Sequence, residues 1–420
     1  MSDELPSPKR NAALETMSIP EFRSFVLGRF CFVMAIRMTA TVIGWMIYQV
    51  TKNPLALGIV GLAEVIPALS LALYAGHVID KSEKRSLVLK TMSTYVLCEL
   101  ALLCITAPWI MERANTSHFV EYAVYGIIFC TGILRAFVGP AMSSMISQIV
   151  PRERLGNAVT ISQGTYLSAS VVGHASSGFL IAHFSYTVVF SVIAGFMLIA
   201  IVFMSRLKKK PILYTPKENQ RTWGSVKEGL RFVFKSKEVL GALSLDMFAV
   251  LFGGAVALIP IYASDILKVG PVGFGWLNAA ADIGSISIIL FMTFFPMKRN
   301  QGRILLYSVF GFGICIIVFG LSKLFILSFF ALLISGMLDG VSVVVRGTIV
   351  QLKTPEELKG RVLSVSSMFI NSSNELGQFE SGLAAKVMGT VRATVFGGCM
   401  TLLVVMATWF KAPSLRKMEY

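Results

Sequence analysis

The sequence predicts an all-α membrane protein, with twelve transmembrane helices in two pseudo-symmetric six-helix halves. Composition is the first observation. Of 420 residues, 55% are hydrophobic and only 15% charged, and the mean hydropathy is +0.71. Soluble domains carry about 25% charged residues. The second observation is a set of twelve apolar runs, at 22–50, 55–79, 86–110, 119–149, 155–182, 185–205, 239–264, 271–296, 303–322, 324–351, 361–389 and 390–410. About 20 apolar residues span a bilayer as a helix. A helix keeps its backbone hydrogen bonds internal in lipid, and the short alternating segments of a barrel do not occur. The third is a repeat: "ISQIVPRERLGNAVTIS" (146–162) and "IVQLKTPEELKGRVLSV" (349–365) each follow the fourth run of a half. Both contain Gln, then Pro, acidic residues and Leu.

Taken in order, a polar tail (1–20), without a signal peptide, precedes the first half (21–205). In run one, Arg37, Thr41, Gly44 and Tyr48 align at helical spacing. Run two leads into "GHVIDKSEKR" (76–85), which places Asp80 in a loop dense with Lys81, Lys84 and Arg85. In run four, Thr131, Arg135 and Gly139 align. The longest polar segment, 206–237, separates six runs from six as a linker. Within it Val226, Leu230, Val233 and Phe234 fall on one face, which predicts an amphipathic helix lying on the membrane surface.

The second half (238–411) carries two further stripes: Asn278, Asp282 and Ser285 in run eight, and Ser335, Asp339, Ser342 and Arg346 in run ten. Asp339 and Arg346 are about 10 Å apart along a helix, too far for a direct pair. Run eleven reads "FINSSNELGQFESGL" at 369–383. Its Glu375 and Glu380 are about 140° apart around a helix, so they do not share a proton. Asn371, Asn374, Glu375, Gln378 and Gly382 share a face, expected to line a wet cavity, while Glu380 is expected to pair with a neighbouring helix. The tail is 412–420.

The net charge of +15 is a topology signal and not a nucleic-acid footprint. Lys81, Lys84, Arg85, Lys90, Arg152, Arg154, Lys298, Arg299, Arg303, Lys353, Lys359 and Arg361 lie on one side, with ten Lys/Arg between 206 and 237. The opposite loops hold Lys52, Arg113, Lys268, Lys323 and Arg392. The positive-inside bias puts both termini of a multi-pass membrane protein in the cytoplasm. The six cysteines all fall in apolar runs without a Cys-x-x-Cys, so no metal site or disulfide framework is expected. No Walker loop and no His-Glu-x-x-His occurs, so neither ATP-driven transport nor zinc protease chemistry is supported, and no cofactor is expected.

Thirteen ionisable residues lie inside the runs, away from the loops: Arg29, Arg37, Glu64, Glu99, Arg135, His174, Asp246, Asp282, Asp339, Arg346, Glu375, Glu380 and Lys386. Each costs about 2.5–3.5 kcal/mol at the bilayer centre when unpaired, so they must face protein or water. Two readings stand. Either first-half arginines bind an anion while second-half carboxylates carry protons, or cross-half ion pairs hold the bundle together.

The loop residues Gly76, Asp80, Lys81, Lys84 and Arg85 resemble the loop signature of the major facilitator superfamily, with Glu83 where a glycine is usual. "LDMFAVLFGGAVALIPIYASDIL" (245–267), "LDGVSVVVRGTIVQLKTPEELKGRV" (338–362) and "SNELGQFESGLAA" (373–385) resemble its branch of enterobactin exporters and macrolide-efflux permeases. The chain departs from that branch with "NAAAD" in run eight, and from drug/proton antiporters with Gly173-His174 where a Gly-Pro pair is usual.

The resemblance implies a non-enzymatic secondary transporter, a monomer working by rocker-switch alternating access. Its partners would be a small-molecule substrate, protons and the lipid bilayer. The expectation is proton-coupled export of a small amphipathic or anionic solute such as a siderophore. A lysophospholipid flippase or drug-efflux permease is the alternative, and a non-transporting scaffold or receptor is one of another class. Runs 1, 4, 7 and 10 would line the cavity, with parts of runs 2, 5, 8 and 11. Substrate contacts are then expected at Arg37, Thr41, Arg135, Asn278 and Asn371, and proton coupling at Asp339, Glu375, Asp282 and His174. A gate is expected where Asp80 and its basic neighbours meet the start of run eleven at Gly360 and Arg361.

Overall fold

A computed structural model describes residues 15–113, 117–212, 222–295, 300–355 and 358–419. The first half holds α1 (Pro20–Thr51), α2 (Pro54–Lys81), α3 (Lys84–Ile105), α4 (Ser117–Ile149), α5 (Leu155–His183) and α6 (Tyr186–Ser205). The second holds α7 (Lys237–Phe252), α8 (Gly270–Phe294), α9 (Gln301–Leu321), α10 (Phe325–Lys353), α11 (Lys359–Met388) and α12 (Thr390–Lys411). Among the described residues there is no strand.

Among the described residues, ten stretches are long and apolar enough to cross a membrane. The long helices outside that set are α5, rich in Ser and Gly, and α11, which carries Glu375, Glu380 and Lys386. Both pack between other helices, α5 against α1 and α8, α11 against α2 and α7. A helix flanked by protein needs less apolar surface than one facing lipid, which is why composition marks these two weakly.

The helix pairings repeat six helices later. In the first half α1 packs on α5 and α6, α2 on α4, and α3 on α4 and α6. In the second, α7 packs on α11 and α12, α8 on α10, and α9 on α10 and α12. The halves meet along α2–α11 and α5–α8, each the counterpart of the other under the same shift.

Local chemistry sets the turns. Lys52, left-handed at φ 49°, ends α1, and Asn53 caps α2 by accepting from the Leu55 N–H, with Pro54 in its first turn. Gly389, at φ +88°, makes the tight turn from α11 into α12.

Three expectations are corrected. The seventh run is not one helix. After Phe252, the pair Gly253-Gly254 breaks it, and Ala255–Leu258, Ile259–Ile261 and Tyr262–Ile266 continue as short turns of different pitch. A glycine pair followed by Pro260 explains the break. Next, the linker helix, Thr222–Lys235, docks on protein. Val233 is buried and Leu230 partly so, against Val239, Leu243, Val350, Val362 and Val365, while Phe234 is exposed. The predicted apolar stripe therefore splits, and the Val226 side chain lies outside the description. Finally, Gly76 and Asp80 belong to the last two turns of α2 and not to a loop. The chain end is also anchored: Leu415 and Met418 are buried among residues of α7, α9 and α12.

Candidate functional site: a charged seam between the halves

The site begins where α4 crosses α2. A Cβ on Gly132 would sit 2.3 Å from the Glu64 carbonyl oxygen, so only glycine allows this approach. One turn on, Arg135 Nη1 donates to Glu64 Oε1 at 2.8 Å and, across the seam, to Glu375 Oε1 of α11 at 2.7 Å. Gln378 Nε2 donates to the other Glu375 oxygen at 2.9 Å. The Glu375 side chain is 8% exposed and that of Arg135 41%. One guanidinium thus holds two carboxylates, one from each half, and the trio carries a net single negative charge.

A second cluster joins α1, α5 and α8. Gly173 brings α5 against the backbone of Met34 and the Cβ of Arg37. Arg37 Nη2 bonds the Tyr166 hydroxyl, and its guanidinium lies 5.4 Å from the centre of that ring. Arg29 approaches the same ring at 5.9 Å. Thr41 Oγ1 and His174 Nδ1 are 2.6 Å apart. His174 Nε2 lies 3.7 Å from Asp282 Oδ2, which accepts from Ser170 Oγ at 2.5 Å. The four polar groups Thr41, His174, Asp282 and Ser170 therefore form a continuous chain from first half to second.

The structure brings together Arg37, Thr41, His174 and Asp282 in one cluster and Arg135 with Glu375 in the other. It leaves Asn278 bonding the Phe274 carbonyl of its own helix, and Asn371 exposed on α11. Asp339 sits apart, between α7, α9 and α10. Arg346 pairs with Asp246 of α7, both buried. Glu380 is partly buried on α11 and makes no ion pair with a neighbouring helix among the described residues. Glu99 is buried and accepts from Thr39 Oγ1 at 2.7 Å.

Sequence reasoning missed Tyr166 and Ser170. Their signal was present, since Tyr166, Ser170 and His174 recur every fourth residue along α5. Also missed was the contact of Tyr48 and Gln49 of α1 with Asp265 and Ser264 beyond the break in α7. Among the described residues no group of three His, Cys, Asp or Glu could hold a metal ion.

On the side of the linker, among the described residues Asp80 makes no ion pair with Arg361. Asp80 is exposed at the C-terminal end of α2, where the helix dipole disfavours a carboxylate. Arg361 pairs with Glu228 of the linker helix, and a Cβ on Gly76 or on Gly360 would meet nothing. Arg85 donates to the Ser205 carbonyl at the end of α6 at 2.6 Å. Glu83 caps α3, accepting from the Arg85 and Ser86 N–H groups at 3.1 and 2.9 Å. Burial pushes the Glu83 carboxyl up, but bonds from Ser86, Arg85 and Lys210 outweigh it and hold it below the usual range. The close approaches between halves lie nearer the other side, at Gly58 on Phe379 and Gly178 on Gly275.

Two six-helix halves joined by a charged seam define a transporter of the major facilitator fold. Solved structures share it: a D-xylose-proton symporter (TM-score 0.72, 12% identity, 97% of this chain and 99% of that one) and the nucleoside transporter NupG (0.70, 12%, 93% and 99%). The family model described as "Transmembrane secretion effector" matches residues 12–420, and the chain belongs to that family of the major facilitator superfamily. Among relatives, the MFS-type transporter YfiS of Bacillus subtilis (strain 168) is 23% identical over 86% of this chain and 85% of its own. The enterobactin exporter EntS of Shigella boydii serotype 4 (strain Sb227) is 24% identical over 82% of this chain and 80% of its own.

Proposed function

We propose that the chain is a proton-coupled exporter of a small amphipathic or anionic organic solute of the siderophore class, working as a monomer in a bacterial inner membrane with both termini cytoplasmic. The observation that carries this reading is the cluster of Arg29 and Arg37 on the ring of Tyr166. Among the described residues Arg37 has no carboxylate within ion-pair distance, unlike Arg135, so its charge is left to attract a carboxylate or catecholate beside the Tyr166 hydroxyl that it already bonds. The similarity to enterobactin exporters supports the substrate class.

Alternating access follows from where the halves touch. Their close approaches lie away from the linker, which supports a cavity that opens on the linker side. Rocking would part Tyr48 from Asp265 and Arg135 from Glu375, and would bring Asp80 to the start of α11 as a latch on Gly360 and Arg361. The carboxylates Glu375 and Asp339, then Asp282 with His174, are the groups that exchange a proton during this cycle. Asn278, Thr41 and Asn371 complete the substrate contacts, while Lys81, Lys84 and Arg85 flank the latch.

The test is flux of enterobactin in proteoliposomes under an imposed pH gradient. Wild type is expected to move it uphill, and Arg37→Ala to lose binding with unchanged folding. Substrate-independent behaviour would overturn the reading. Substrate movement indifferent to the gradient would favour an uncoupled flippase instead.

A further inference from the structure

The linker is tied to both halves. Near its start, the Lys208 N–H donates to Glu21 Oε1 at 2.9 Å and Lys210 Nζ to Glu21 Oε2 at 3.0 Å, in the first turn of α1. Its helix, Thr222–Lys235, lies on the second half. Val233 is buried in one cluster with Val239 of α7, Val350 of α10, and Val362 and Val365 of α11. One turn earlier Gly229 is buried, and a Cβ there would stand 3.0 Å from the Arg361 carbonyl oxygen and 3.2 Å from the Arg361 Cβ. The missing side chain lets the linker backbone rest on α11. It sets Glu228 beside the Arg361 guanidinium, with which it pairs.

This pair occupies the group that the Asp80 latch needs. Arg361 is in the first turn of α11, and in the conformation described here it is Glu228, not Asp80, that neutralises it. The side chains of Glu228 and Arg361 are 53% and 26% exposed. An ion pair that wet is weak, shifting an equilibrium up to about fivefold. Weakness suits a contact exchanged in every cycle, whereas breaking a buried pair such as Arg346 with Asp246 is far more costly. Val233 holds the helix on the second half meanwhile, so the exchange requires only that side chains turn.

We propose that the linker helix is a brake on closure of the linker side, with Glu228 and Asp80 as alternative partners of Arg361. Glu228 holds Arg361 in the conformation described here, and closure hands it to Asp80. The brake biases the resting carrier towards the state open on the linker side. The inference rests on the Asp80 latch for the second partner, while the first is the observed contact.

The experiment is double electron–electron resonance on the purified full chain in detergent, without substrate. Spin labels at Arg152→Cys and Lys353→Cys, both exposed and one in each half, in a background free of the native cysteines, read closure of the linker side. Glu228→Gln should raise the short-distance population about fivefold, and Asp80→Asn should lower it. Glu228→Lys, which replaces attraction by repulsion, should raise it at least as far as Glu228→Gln, and a smaller rise overturns an electrostatic brake. In the Asp80→Asn background Glu228→Gln should change nothing, because Arg361 then has no second partner to be handed to. A distribution lowered by Asp80→Asn but unmoved by Glu228→Gln overturns the brake and spares the latch. An equal rise with and without Asp80 overturns the exchange of partners. An unchanged distribution in Asp80→Asn alone overturns the latch, and the exchange with it.

Discussion

Glu375→Gln tests the seam directly. The change preserves shape, and a glutamine oxygen can still accept from Arg135, so what is lost is the charge on one side of a 2.7 Å bond between the halves. A hydrogen bond to a charged group contributes about 1.5–3 kcal/mol and a neutral one about 0.5–1.5. Because the Glu375 side chain is 8% exposed, the upper part of that difference applies, but Arg135 is 41% exposed and keeps Glu64. The loss is then about 1.4 kcal/mol, or tenfold in an equilibrium between conformers. Rocking separates Arg135 and Glu375, so the penalty falls on the conformer described here. Spin labels at Lys52→Cys and Lys268→Cys, in a background free of the native cysteines, report the opening on the side away from the linker. Double electron–electron resonance should show the longer distance about tenfold more populated in Glu375→Gln. An unchanged distribution in folded protein would refute the idea that this ion pair biases the two states.

Three further outcomes are expected. Asp80→Asn should leave insertion and helix content intact while cutting proteoliposome transport severely; wild-type flux would remove the latch. Gly377→Ala should lower the melting temperature, since its Cβ would stand 2.8 and 2.9 Å from the Val250 and Leu251 carbonyl oxygens beside the break in α7. Overpacking of that kind costs about 1–3 kcal/mol, and a melting scan of the purified variant reads it. Glu83→Ala should destabilise α3 by about 1 kcal/mol at neutral pH through loss of its cap. The Glu83 carboxyl is held below its ordinary range, so its contribution is present above the unfolded carboxylate value and disappears as pH falls through the folded one. The difference between wild type and Glu83→Ala should therefore vanish in strong acid, which unfolding curves at successive pH values would show.

The sequence by itself determined the helices, their number in two sets of six, and which residues were too costly to be idle. Those conclusions rest on local quantities: the length of apolar runs, the cost of charge in lipid, and the spacing that puts Arg37 with Thr41 or Asp339 with Ser342 on one helix face. It also placed Glu375 and Glu380 on different faces of α11, and it is Glu375 that bonds Arg135. Only the tertiary structure decided partners. Arg135 is 71 residues from Glu64 and 240 from Glu375, and no periodicity within one helix says which neighbour it meets. The break at Gly253-Gly254 was equally hidden, because a run of apolar residues reads the same whether the backbone is straight or interrupted. The interruption survives in the membrane because α11 and α12 pack glycines, Gly377 and Gly397, against its carbonyls. Spacing along the chain fixes a residue's face; the approach of two backbones, set by glycines far apart in sequence, fixes what that face touches.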